Sequence, residues 1–119
     1  MWRVGVLAAL VVSLAGPAWA CTEGKSPYAF EQITVSTSSI GLTSATWDSF
    51  AEGACAEIRV ETDSVRYRLT GTPTSSVGIP LAANDVLYLE NVPDSDNFSD
   101  VRFIRSGSGD ATLSVQYWR

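Results

Sequence analysis

Strict two-residue alternation is the strongest constraint in this chain. Ala54, Ala56, Ile58 and Val60 alternate with Cys55, Glu57, Arg59 and Glu61. Near the C-terminus Leu113, Val115 and Tyr117 alternate with Thr112, Ser114, Gln116 and Trp118. Successive side chains of a strand point to opposite faces, so this pattern buries one face and exposes the other. An amphipathic helix needs apolar residues every three or four positions, and no stretch after residue 20 has that spacing. Short segments rich in Val, Ile, Thr and Tyr recur instead, between clusters of Gly, Ser, Asp, Asn and Pro. The expected fold is all-β: an antiparallel β-sandwich of about seven strands with Greek-key or jelly-roll connections.

The strand signals fall in order along the chain. Residues 21–29 read as an irregular N-terminal arm, Phe30–Val35 as the first strand and Ile40–Leu42 as a short second one. Phe30 is out of phase with Ile33 and Val35, and Trp47 and Phe50 are placed to cap the core. Ala54–Glu61 and Val65–Thr70 are joined by Thr62-Asp63-Ser64, a connection short enough for a hairpin. That hairpin would set Glu57, Arg59 and Glu61 opposite Arg66 and Arg68. Val77–Leu81 contains Pro80, which suits an edge. Asn84-Asp85 reads as a turn, Val86–Asn91 as a strand and Pro93–Asp100 as an acidic loop. Val101–Ser106 and Ala111–Arg119 read as a last hairpin across Gly107–Asp110.

Ahead of these segments lie Met1-Trp2-Arg3, an apolar run from Val4 to Ala15, and Ala18-Trp19-Ala20. A positive start, a short apolar run and an Ala-x-Ala site make a cleavable signal peptide over residues 1–20. The run is shorter than the roughly 20 residues that cross a bilayer, so no membrane span is expected. Residues 21–119 form the single mature domain. Cys21 and Cys55 are the two cysteines, and an even pair in an exported chain reads as one disulfide. The competing reading is a lipid anchor on Cys21 after cleavage. Trp19, and Ala18 in the place of the Leu usual in lipoprotein signals, argue for ordinary cleavage.

Charge and chemistry exclude several functions. The chain has 8 basic and 13 acidic residues, and loss of Arg3 leaves 7 and 13, a net −6. Such a domain repels phosphate backbones, so no nucleic-acid partner is expected. Histidine is absent, which removes Ser-His and Cys-His nucleophiles, the commonest general base and imidazole metal ligation. Asp48 and Glu52 share a loop without a visible cleft. Asp94, Asp96 and Asp100 have calcium-loop spacing, but Phe98, Ser99 and Arg105 stand where a loop ligand, Gly and Glu are required. No cofactor, metal or catalytic residue is expected, and the protein reads as a non-enzyme. Trp47, Tyr88 and Trp118 are the aromatics best placed to form a binding surface by stacking on sugar or anchoring a protein contact. Arg66 with Arg68, and Arg102 with Arg105, are expected to neutralise neighbouring acids.

Five ordered pieces carry a resemblance: Glu31–Thr37, Val65–Gly78, Leu81–Asn91, Phe103–Ser108 and Asp110–Tyr117. From about residue 31 to its end the chain resembles small virion-associated proteins of tailed bacteriophages. The resemblance implies a compact β-sandwich used as a structural or decorating part of a phage particle, acting by surface complementarity. The export signal departs from that pattern. It implies either recruitment of the fold to the periplasm or cell surface, or an exported phage product. The expected partners are therefore proteins of a virion or cell-surface assembly, a second copy of the chain, or a glycan. A periplasmic or surface carbohydrate- or protein-binding domain is the alternative function, and a small secreted enzyme or inhibitor the second.

Overall fold

In the computed structural model, which describes residues 21–47, 52–92 and 96–119, the alternating segments become strands. They are β1 (Pro27–Val35), β2 (Cys55–Glu61), β3 (Val65–Arg68), β4 (Ile79–Leu81), β5 (Val86–Glu90), β6 (Arg102–Arg105) and β7 (Ala111–Trp118). Two one-turn helices accompany them, α1 (Ser44–Trp47) and α2 (Asn97–Asp100). The strands make two antiparallel sheets, ordered β1-β7-β2-β5 and β4-β3-β6. None of the helices among the described residues is long and apolar enough to cross a membrane. Residues 1–20, expected to be a signal peptide, and Asp48, Phe50 and Asp94 lie outside the described residues.

The alternation predicts the buried face residue by residue. Ala56, Ile58 and Val60 of β2 and Ala111, Leu113, Val115 and Tyr117 of β7 are all fully buried. Ile33 and Val35 of β1, Leu89 of β5, Val65 of β3 and Phe103 of β6 complete the layer between the sheets. Truncating such a residue costs about 2–5 kcal/mol, because the removed contacts leave a cavity.

The connections differ from the sequence expectation. β2 and β3 are not a hairpin: β2 pairs with β5 and β7, whereas β3 pairs with β4 and β6. β6 and β7 likewise lie in different sheets. Three extended residues reach roughly 10 Å, which is also about the distance between stacked sheets. A three-residue link can therefore turn back or cross over, and alternation cannot tell the two apart. Ile40 makes only an isolated bridge, to Phe103 of β6, in place of the expected short strand. With that bridge counted at its place, the chain moves between the sheets in the wrapped order of a jelly roll whose second strand is reduced to one contact. β1 starts at Pro27, so the irregular arm ends three residues earlier than expected. Ser26 and Arg119 exchange both backbone hydrogen bonds at 3.0 Å and extend the ladder to the chain end.

The acidic loop also holds a core residue. Phe98 on α2 is fully buried and stacks edge-on against Trp47 and Tyr117, at 5.7 and 5.6 Å between centroids. Its backbone N–H donates to Asn91 Oδ1 at 3.1 Å, which satisfies a donor that would otherwise be buried without a partner. Tyr28 closes the cluster, 6.2 Å from Tyr117, with the Arg119 guanidinium 4.4 Å above its ring. Tyr117 donates its hydroxyl to Glu31 Oε2 at 2.5 Å. Burial first, and this bond second, push its phenol far above the usual tyrosine range.

The two crossovers are tied to each other. The Asp63 carboxylate accepts from Ser64 N at 2.8 Å and from Gly109 N at 3.0 Å. Ser106 N donates to Ser64 O at 3.0 Å, and Thr112 N donates to Thr62 Oγ1 at 3.2 Å. A Cβ at Gly107 would collide with the Asp63 carboxylate, so a larger residue there would have to displace that carboxylate from its present position. The Ser64 and Gly109 N–H groups, in that order, hold the Asp63 carboxyl below its ordinary value. A depressed folded pKa contributes stability at neutral pH that is lost as pH falls through the carboxylate range. Asp63→Ala is therefore expected to lower Tm at neutral pH and to flatten the fall in Tm on acidification. Thermal melts of both proteins from neutral to acid pH check this.

Candidate functional site

Because β2 and β7 are inner strands of the four-stranded sheet, their outward residues form the centre of an open face. One row across the sheet reads Phe30, Gln116, Glu57, Tyr88, from β1 to β5. The next reads Gln32, Ser114, Arg59, Val86. Beyond the first row, Trp118 is opposite Cys55, which is opposite Glu90. Phe30, Trp118, Gln116, Glu57, Arg59 and Ser114 line a depression of about 300 Å³.

Local bonds hold these side chains in place. Trp118 Nε1 donates to Glu57 Oε1 at 3.3 Å. Gln116 Nε2 donates to Ala29 O at 2.7 Å, and Gln32 Nε2 donates to Ser114 Oγ at 3.2 Å. The Ser114 hydroxyl donates to Glu61 Oε2. Arg59 Nη1 reaches Asn84 O at 3.5 Å. The face therefore offers two carboxylates, a guanidinium and two amides between aromatic rings.

Of the three aromatics expected to form a binding surface, two share this face. Trp118 and Tyr88 flank Glu57, and Tyr88 is 39 % exposed. Trp47 is elsewhere: it packs on Phe98 in the core cluster and accepts the Tyr28 hydroxyl at its carbonyl, at 2.8 Å. Its indole N–H is buried and has no hydrogen-bond partner among the described residues. Trp47 therefore takes the expected core-capping position, half-buried, and lies away from this face. Phe30 takes its place on the face, 56 % exposed. Its phase opposite to Ile33 and Val35 was the signal for that outward position. Alternation likewise set Glu57, Arg59 and Gln116 outward, but that they share one surface depends on which strands pair.

Two of the basic residues act otherwise than expected. Arg66 does not face Glu57 or Glu61 but donates to Ser75 O and Gly78 O, at 3.1 and 2.8 Å. Arg102 donates to Ser99 O and Val101 O at 2.7 and 2.8 Å. Arg105 does pair with an acid, Asp110, at 2.7 Å. That pair is solvent-exposed and contributes at most about 1 kcal/mol. Among the described residues no group of three or more Cys, Asp or Glu is placed to hold a metal ion.

Cys21 and Cys55 form a disulfide, with Cα atoms 5.4 Å apart. Cys55 is on the outer face of the sheet and yet fully buried, because the N-terminal turn is drawn over it. The disulfide thus borders the candidate face at the Trp118 row. Bonds of this kind persist in oxidising compartments outside the cytoplasm. Comparison with protein-family models, with curated proteins and with solved structures finds no match for the chain.

The bond closes a loop of 33 intervening residues, for which chain entropy gives about 3–4 kcal/mol. Reduction, or Cys21→Ser with Cys55→Ser, is expected to lower stability by about 3 kcal/mol, a fall in Tm on the order of 15 °C. Denaturant and thermal melts with and without reductant check the magnitude.

Proposed function

We propose that the chain is an exported, non-enzymatic binding module of the kind suggested by its resemblance to small virion-associated phage proteins. In this reading residues 1–20 direct export and are removed, and Cys21 begins the mature chain. The contact surface is the outer face of the four-stranded sheet. The observation that carries the reading is the gathering of Phe30, Tyr88 and Trp118 around Glu57 and Arg59 on one solvent-facing surface. Aromatic rings held by packed strands give contact area at little cost in side-chain entropy.

Two further points support a binding role over a catalytic one. The sequence contains no histidine, and the two carboxylates at the centre of the face are already bonded, Glu57 to an indole N–H and Glu61 to the Ser114 hydroxyl. Jelly rolls serve in virus particles and in lectins alike. That analogy suits the proposal but cannot by itself fix a function.

The test is the intact mass and compartment of the protein expressed from the full chain in a bacterial host. Loss of residues 1–20 and of two hydrogens, in material released from the periplasm, is the expected result. Full-length protein in the cytoplasm would remove the export part of the proposal. A mass increase matching acyl chains would replace the disulfide reading with a lipid anchor. Co-purification with phage particles in an infected host would place the module on the virion.

A further inference from the structure

We infer that the outer face of the four-stranded sheet takes a neutral oligosaccharide, laid across the strands from Phe30 towards Tyr88. This rests on the reading of that face as the contact surface and adds the chemistry of the ligand.

The layout of the face argues for sugar over protein. Protein interfaces have an apolar centre depleted in charge and a polar rim. Here the order is reversed. The central strands β7 and β2 present Gln116, Ser114, Glu57, Arg59 and Glu61 at the middle of the face, whereas Phe30 and Tyr88 sit on the edge strands β1 and β5 and Trp118 sits at the end of β7. A ligand that fits must meet donors and acceptors at its middle and flat apolar surface at its ends. A sugar chain does both, since a pyranose ring carries hydroxyls around its edge and C–H groups on its faces. Carboxylate oxygens accept from adjacent hydroxyls, and a guanidinium donates to them through a planar fork. The Trp118 N–H bond to Glu57 fixes one carboxylate oxygen and one ring in advance, so less ordering is needed on binding.

Charge selects among sugars. The face sets Arg59 against Glu57 and Glu61 on its central strands and Glu90 on its edge strand, in a mature domain of net −6. Its field disfavours sulfated or uronic-acid chains and leaves neutral ones. Size selects length. From β1 to β5 is three strand spacings, about 14 Å, wider than a single hexose ring. The depression of about 300 Å³ is at the small end for a ligand site, which suits an extended chain on an open surface.

The disulfide-bonded protein exported from cells expressing the full chain is applied to immobilised neutral oligosaccharides of hexose and N-acetylhexosamine, with sulfated and uronic-acid chains alongside. Neutral chains are expected to bind and acidic ones not. Phe30→Ala, Tyr88→Ala and Glu57→Gln are each expected to weaken binding about tenfold. Glu57→Gln keeps an acceptor for the Trp118 N–H, so its loss would report on the ligand. Ile79→Ala, an equally exposed apolar residue on the other sheet, is expected to change nothing. Thermal melts establish that each variant remains folded. Failure to bind any neutral chain, or a preference for acidic ones, would overturn the sugar assignment. The face itself would then still stand if the same substitutions abolished binding to phage particles or to a second copy. Sugar binding indifferent to all three substitutions would overturn both readings.

Discussion

Everything in this fold depends on β7 being hydrogen-bonded on both sides. It pairs with β1 along Pro27–Val35 and with β2 along Cys55–Glu61, so the N-terminal, middle and C-terminal parts of the chain meet on one strand. Its inward residues, Ala111 to Tyr117, are fully buried, and its outward residues supply the centre of the candidate face. A strand shared in this way fixes register strictly, because a slip of one residue would turn every buried side chain to solvent. Both the core and the external surface therefore follow from a single register.

The same arrangement explains how so short a chain closes its ends. One end of the sandwich is filled by the aromatic cluster of Trp47, Phe98, Tyr117 and Tyr28. The two crossovers at residues 62–64 and 107–110 are held together by the Asp63 carboxylate. At the border of the outer face the Cys21–Cys55 bond pulls the N-terminal turn over β2. A domain of this size buries only a modest core, so each closure stabilises it appreciably. None of them occupies the Phe30–Gln116–Glu57–Tyr88 row, which stays open to solvent.

The positions of the strands and their buried faces were legible from alternation. The inward residues of the Ala54–Glu61 and Leu113–Tyr117 patterns were read correctly, as were the Pro80 edge and the Asn84-Asp85 turn, whereas Cys55, on the outward face, is buried beneath the N-terminal turn. Pairing was not legible. The link at Thr62–Ser64 crosses between sheets, and Thr62 takes a positive φ of 72° there, unusual for a β-branched residue. Nothing in its side chain announces that backbone. Phe98 was concealed for a related reason: it is one apolar residue in an acidic stretch, and its burial depends on a gap between elements distant in sequence. Trp47 and Trp118 illustrate the same division. Both are bulky aromatics near polar residues, yet the first packs half-buried against the core cluster and the second borders the open face.

By itself the sequence determined the fold class, the inward residues of each strand and the availability of one cysteine pair, because these depend on local periodicity and on residue chemistry. It also contains no histidine, the commonest general base. Only the tertiary structure decided which strands are neighbours, and with them which outward residues share a surface. Phe30 and Tyr88 are separated by 58 positions in sequence, but lie on one cross-strand row with Gln116 and Glu57. The hydrogen-bond ladder joins them, and a ladder is a long-range choice among strands that look alike one at a time.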